Sequence, residues 1–413
     1  MLCVKCCVIY NEQGVVSQAY YSPMLADAEP TWYINYLSLL YTLHNTQHGF
    51  SESMPISESI QQAAWRRLKK NKAAVFGMAV IALALLVALL AYYMAPDISP
   101  FANRMTVEIG GQQPGYTQAF LLINKDQQDD NSAGIFSRLL YGRSDAFTWL
   151  PITRYQQTGD SIIVQKFIDE GIEERMAFAL SQLPVHPVVS KKFLLGTDKY
   201  GRDILSRLII GTRVSLSVGL IAVIISLSTG ILLGALAGYF GGKTDDIIMW
   251  FINVIWSIPT LLLVFAITFL LGKGFWQVFI AIGLTMWVTV ARIVRGQVLG
   301  VRELEYVEAA RALGYTQGRI IFRHILPNIA GPILVVGASN FASAIVIEAG
   351  LSFLGVGVQP PQPSWGLMIK ENYNFIITHN PMLALAPGFA IMLLVLAFNL
   401  LGNGLRDALN VRS

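Results

Sequence analysis

Charge is scarce in this chain. Of its 413 residues only 14% are Asp, Glu, Lys or Arg, against about 25% in an ordinary soluble domain. With 54% hydrophobic residues and a mean hydropathy of +0.51, this excludes a typical water-soluble domain. The net charge is only +4, and the basic residues flank apolar runs rather than forming a stripe, so no nucleic-acid partner is expected. Cysteine is scarce too: Cys3, Cys6 and Cys7 are the whole supply. The one large hydrophilic segment holds none of them and so has no disulfide framework. No period of about 20–50 residues recurs, which excludes repeat architectures. Nucleophile–base pairs, cofactor fingerprints and convincing metal clusters are also missing, so neither an enzyme nor a cofactor is expected. Cys3-x2-Cys6 with His44-x3-His48 comes nearest to a zinc site, but the pairs lie too far apart for finger spacing, and the metal expectation is none.

What the chain has in quantity is long apolar runs. A bilayer core needs roughly 20 apolar residues in a helix. Six segments meet or approach that length: Ala73 to Ala95, Val214 to Phe240, Ile247 to Gly272, Gly274 to Ala291, Asn328 to about Val358, and Met382 to Leu405. The expected fold is an all-α polytopic membrane protein with six transmembrane helices. Among these runs only the fifth holds a charged side chain, Glu348. Orientation follows from flanking Lys and Arg. Arg66, Arg67, Lys69, Lys70 and Lys72 precede the first span, and Arg292, Arg295, Arg302, Arg311, Arg319 and Arg323 fall between the fourth and fifth. Both termini are therefore expected in the cytoplasm. The first span is too long for a cleaved signal peptide and reads as a signal anchor.

Four regions follow. Residues 1–60 read as a disordered tail, or as sequence before the true start, since Met54-Pro55-Ile56-Ser57 leads directly into the basic segment. Residues 61–96 hold that segment and the first span. Residues 97–205 form a hydrophilic insertion, expected as a small mixed extracytoplasmic domain. In it Thr106–Gly111, Phe120–Ile123, Ile152–Tyr155 and Ile162–Val164 read as strands, with a turn at Asp160-Ser161. An amphipathic surface helix is expected over Ile204–Ile210. Residues 206–413 hold the other five spans.

The loop 303–327 is the densest polar stretch between spans. Glu303–Leu313 lacks Pro and Gly, and Tyr306, Ala309, Ala310 and Leu313 share one helical face. Gly314 is placed to end that helix, Thr316 to cap a second one running to Arg323, and Pro327 to open the fifth span. Read from periodicity alone, this is a helix–turn–helix that either folds onto its own bundle or receives another protein. In the spans, Gly230, Gly234 and Gly238 recur every four residues, the spacing of a packing seam. Asn340, Ala344, Glu348 and Ser352 form a polar stripe, either lining a path or satisfied within the bundle. Asn253, Ser257 and Thr260 share a face in the third span, with Pro259 expected to kink it. Arg292 and Arg295 read as topology determinants at the lipid headgroups. Gly238-Tyr239-Phe240-Gly241-Gly242-Lys243-Thr244 fails as a phosphate loop, because the required first glycine is Ala237; it reads as a tight turn.

Several of these motifs together carry a resemblance. Glu308-Ala309-Ala310, Gly314 and Leu326-Pro327 resemble the signature loop of ABC-importer permeases, with His324 at a position that is usually apolar. Leu195-Gly196-Thr197-Asp198 through Arg207, Gly350-Leu351-Ser352-Phe353-Leu354-Gly355, Gln359 to Gly366, and Asn399 to Asp407 are similar to stretches of the dipeptide, oligopeptide and nickel permeases, C-type subunit. The resemblance covers about 65–90 and 195–412, and the outer segment is longer than the family's usual connection. It implies an inner-membrane subunit forming half of a translocation path for peptides or related small solutes. The implied partners are a second homologous permease, ABC ATPase subunits, an extracytoplasmic substrate-binding protein and membrane lipid. ATP hydrolysis would lie on the ATPases. Tyr306, Glu308, Ala309, Ala310, Leu313, Gly314 and Pro327 would couple to them, and Asn253, Ser257, Asn340, Glu348 and Ser352 are the path candidates. The competing reading is a stand-alone secondary transporter using Glu348 as a proton site.

Overall fold

The computed structural model describes residues 10–11, 14–15, 60–125, 142–272, 274–377 and 380–409. The chain divides into two units, 1–59 and 60–413. In the first, Tyr10–Asn11 pairs with Gly14–Val15. Cys3, Cys6, Cys7, His44, His48 and Met54, with the questions they raise, lie outside the described residues.

The second unit is mainly helical. The basic segment forms α1 (Ile60–Lys70), and α2 (Lys72–Leu89) follows at once. The Asn71 side chain accepts from the Ala73 and Ala74 amides at 3.1 and 3.2 Å, satisfying two donors that a helix start leaves open. Next come α3 (Ile204–Phe240), α4 (Gly242–Trp256), α5 (Thr260–Leu271) and α6 (Phe275–Val301). After the short α7 (Glu305–Ala312) the chain continues as α8 (Ala330–Phe353), α9 (Trp365–Asn372) and α10 (Met382–Leu409). Five of these helices are long and apolar enough to cross a membrane, and α4 with α5 forms a pair bent by 94° that raises the number to as many as six.

Three expectations about the spans change. The surface helix at 204–210 is no separate element: α3 is one helix of 37 residues. Only Gly211 interrupts the helix formers there, and Arg207 is paired rather than seeking the interface. The fourth span runs on past Ala291 to Val301, because Arg292 and Arg295 find partners on α4. The kink at Pro259 is a full break. Proline removes an amide and disfavours helical geometry at the residue before it, and Pro259 itself is extended at ψ 127°.

The course of the chain is fixed by close approaches. A Cβ on Gly230 would lie 2.5 Å from Val290 Cβ, one on Gly234 2.4 Å from the Ala291 carbonyl oxygen, and one on Gly238 2.8 Å from Val298 Cβ. Residue numbers rise together along this contact, so α3 and α6 run parallel. The bent α4–α5 pair therefore carries the chain back between them. Helix α8 runs against α3, with Phe341 filling the place of a side chain at Gly219, and α10 runs against α8, with Phe398 stacked on Phe341 at 4.0 Å.

Between α2 and α3 the described residues form an antiparallel sheet of β1 (Tyr116–Asn124), β2 (Phe147–Thr158), β3 (Ser161–Asp169), β4 (Ile172–Ala179) and β5 (Val188–Phe193). The order is β4-β3-β2-β1-β5. Adjacent residues of β1 serve opposite faces, as strand alternation requires. Leu121 packs with Ile152, Ile162 and Val164, while Phe120 packs with Ile109 and Phe193. The expected mixed segment is thus a sheet with 3-10 turns, without an α-helix among its described residues before α3. The strand expected at 106–111 is one of those turns, Val107–Ile109. Its ends bond to the 195–203 loop instead: the Thr106 amide to the Tyr200 carbonyl at 3.0 Å and the Gly111 amide to the Asp198 carbonyl at 2.9 Å. Gly201 makes this possible. Its φ is +73° and a Cβ there would sit 1.7 Å from the Thr106 carbonyl oxygen, a place only glycine can fill.

At this end of the bundle charge is buried and paired. Arg202 Nε donates to Asp198 at 2.6 Å and its Nη2 to Glu371 of α9 at 2.6 Å. Arg207 donates to the same Glu371 oxygen at 3.3 Å. Both arginines are 1% exposed.

Candidate functional site

The opposite end carries the polar loop. Helix α7 ends at Ala312, and Gly314 follows with φ +75°. The Gly314 amide donates to the Arg311 carbonyl at 3.0 Å and the Tyr315 amide to the Ala310 carbonyl at 3.2 Å. These are the two bonds of a Schellman stop. A single turn (Gln317–Ile320) and a π-helical turn (Ile321–Ile325) complete a helical hairpin. Thr316 stands at the start of that second element, but its side chain makes no capping bond. Pro327 lies in the turn before α8, which opens at Ala330 rather than at Asn328.

The hairpin packs on its own bundle through a face that periodicity did not single out. Val307, Ala310, Ile320, Ile321, Ile325 and Ile329 join Val294 and Val298 of α6 in one cluster. The expected face divides: Ala310 turns inward, while Tyr306, Ala309 and Leu313 are exposed, as are Glu308, Gly314 and Pro327. Sequence reasoning missed Phe322 and Leu304, which extend the exposed apolar surface. Leu313 is 73% and Phe322 69% exposed. Spacing along Glu303–Leu313 could reveal the outward face only with the inward Val307 in view. Arg302 anchors the hairpin by donating to the Gly238 carbonyl at 2.9 Å, and Asn328 donates to the Tyr306 hydroxyl at 2.7 Å.

Within the bundle two cavities of about 510 and 500 Å³ adjoin, sharing Thr289, Ser339 and Asn340. The larger begins at the α4–α5 break, with Trp256 and Thr260 in its wall, and adds Thr285, Ser343 and Asn399. The smaller ends at Arg406. Of the five path candidates Asn340 lines both, and its amide donates to Ser226 at 3.3 Å. Asn253 and Ser257 are exposed on α4 beside the break. Glu348 and Ser352 are placed elsewhere, buried in the bundle, where Ser352 donates to the Glu348 carboxylate at 2.6 Å. The hydroxyl pairs Thr285/Thr289 and Ser339/Ser343, each one turn apart, were the legible signal of this groove.

Arg292 and Arg295 are not at the end of their helix. Arg295 forms a two-pronged pair with Asp245 at 2.5 and 2.6 Å. Arg292 donates to Asn253 at 3.0 Å and stacks over the Trp256 ring at 3.5 Å. The glycine-rich stretch at 238–244 is the one-residue turn at Gly241 between α3 and α4, with no strand before it.

The family described as binding-protein-dependent transport system inner membrane component matches residues 230–413, and that described as N-terminal TM domain of oligopeptide transport permease C matches 59–113. The glutathione transport system permease protein of Pectobacterium atrosepticum is 44% identical over 216 residues, 52% of this chain and 71% of that protein. The oligopeptide transport system permease protein of Bacillus subtilis is 41% identical over 221 residues, 54% of this chain and 72% of that one. The dipeptide transport system permease protein of Lactococcus lactis subsp. cremoris is 31% identical over 355 residues, 86% of this chain and 91% of that one. A match of that extent crosses the strand-bearing segment; the other two are short enough to stop before it.

Proposed function

Because the chain belongs to the binding-protein-dependent transport family, as a C-type permease subunit of ABC importers, we propose that its cargo is a small peptide or a related solute such as glutathione. The polar groove along α6, α8 and α10 is this subunit's side of the path, with Thr289, Ser339, Asn340 and Ser343 in its polar wall and Asn253 and Ser257 outside that wall, exposed beside the α4–α5 break. A second permease closes it. Glu348 and Ser352 serve the packing of α8, which leaves the stand-alone transporter without a proton site in the groove.

The observation that carries this reading is the hairpin 303–327. It holds an apolar outer surface on a rigid mount at the end of α6, where a soluble partner can push. ATPase subunits take Tyr306, Glu308, Ala309 and Leu313 as their contact, with Ala310 and Gly314 shaping the mount and Pro327 closing it. Hydrolysis belongs to those subunits. The hairpin and the basic α1 lie in the cytoplasm, both termini with them. The sheet of 97–205 faces outward, where a substrate-binding protein delivers cargo. Counting the α4–α5 pair as one span gives six, which the parallel course of α3 and α6 supports.

A cysteine at Leu313 tests this. In native membranes it should cross-link to a nucleotide-hydrolysing subunit and resist external thiol reagents. Labelling from outside, or a fully assembled importer without the adduct, would count against the coupling role.

A further inference from the structure

Arg292 is the one guanidinium on α6 whose charge is left over. Its neighbour on the same helix meets an acid, Arg295 with Asp245, and so do the two fully buried arginines, Arg202 and Arg207, which share Asp198 and Glu371. Arg292 has a neutral amide, Asn253, and a neutral ring, Trp256. Its Nε is buried with no acceptor. Among the described residues no carboxylate pairs with it. An arginine within a span is costly unless it faces protein or water and is paired, and a guanidinium keeps its proton at any working pH. A purely structural arginine here would be expected to resemble Arg295, with its acid in place.

The position gives the charge a use. Thr289, three residues earlier on the same face of α6, lines both cavities, and Trp256, under the guanidinium, walls the larger. Stacking on Trp256 holds the guanidinium plane. The bond to Asn253 uses one Nη2 hydrogen and Nε is sealed, so Nη1 and the second Nη2 hydrogen are the donors left to a ligand. That pair matches the two oxygens of a carboxylate.

We propose that Arg292 is a specificity-determining cation of the translocation path, set to receive the free carboxylate of an anionic or zwitterionic cargo as it passes the α4–α5 break. The proposal rests on the peptide reading above and adds the end by which the peptide is read. Cargo lacking that carboxylate would leave the guanidinium unpaired in the path.

The test uses the whole importer, with its second permease, ATPases and binding protein, in proteoliposomes supplied with ATP. The probes are labelled alanyl-alanine and its C-terminal amide. Arg292→Gln should slow alanyl-alanine uptake about tenfold or more, the scale of one lost charge-assisted hydrogen bond. It should leave the ATPases and second permease bound and erase any preference for acid over amide. Arg292→Lys, which keeps the charge, should retain most of the rate. If Gln and Lys are equally impaired, or if Gln transports alanyl-alanine at the wild-type rate, the proposal is overturned. If Gln instead releases the second permease on purification, the missing acid belongs to that subunit and the proposal is also overturned. Absence of uptake of either probe by the wild type, with cargo of another class accepted, would remove the peptide reading and this inference with it.

Discussion

The two ends of the bundle treat polarity in opposite ways. Where the sheet joins α3 and α9, arginines and acids are sealed from water and satisfy one another. Where α7 caps α6, the charged residues are outside and so are Leu313 and Phe322. The first end is finished by its own sequence. The second presents exposed apolar surface, which the proposed coupling assigns to an ATPase subunit. Substitutions at the sheet end should therefore show as lost folding, and those at the α7 end as lost transport in a protein still in place.

The largest effect expected is at the sheet end. Arg202→Ala strands Asp198 and Glu371 without their main partner, and breaking one side of a buried pair costs about 3–5 kcal/mol. Thermal unfolding in detergent should show a lost or greatly lowered transition; a change near zero would mean that the network is wet. Next is the α3–α6 seam between the ends. Gly234→Leu forces a side chain onto the Ala291 carbonyl, and overpacking of this kind costs about 1–3 kcal/mol. Purified yield and melting temperature should both fall, without selective loss of ATPase binding.

Gly314→Val sharpens the contrast. A left-handed backbone costs a non-glycine residue about 1–2 kcal/mol, and β-branching adds to it. No neighbour crowds the site, so the chain should stay in the membrane while transport is lost. Transport at the wild-type rate would detach the Schellman stop from coupling.

The smallest effect is a pH effect. Burial pushes the Asp203 carboxyl above its usual range, with a Ser206 hydrogen bond and the Lys191 charge opposing it. A folded value above the unfolded one, about 3.9, means that its stabilising share is whole below the unfolded value and is lost as pH rises through the folded value. Asp203→Asn should thus cost under about 1 kcal/mol at pH 7. The difference in melting temperature should turn toward the wild type as the medium is acidified. A deficit that instead shrinks on acidification would show the carboxylate to be held charged.

Much of this was legible from hydropathy and spacing. The runs of apolar residues marked the helices, and the four-residue rhythm of Gly230, Gly234 and Gly238 marked a packing seam without naming the helix, α6, that fills it. Gly314 announced its own positive φ. What stayed hidden depends on partners distant in sequence. Arg207 reads as a surface residue until Glu371, distant in sequence, is placed beside it. The end of α6 was set too early because Arg292 and Arg295 look terminal until Asn253 and Asp245 are placed beside them. The inward turn of Ala310 required knowing where α6 stood. Pro259 signalled a disturbance, but a one-dimensional pattern holds no angle, and 94° had to come from packing.

That break has one more consequence. An interrupted helical ladder is tolerated at membrane depth only against protein or a water-filled space. Ser257, Ile258 and Pro259 are exposed in the single chain, so if a second permease covers them as proposed, a copy made in excess of that permease would turn this break toward hydrocarbon. Surplus subunits should therefore be cleared faster than assembled ones, a difference that pulse-chase labelling would read as a shorter half-life when the chain is expressed alone. Stoichiometry would then need no dedicated regulator: the bilayer itself does the counting.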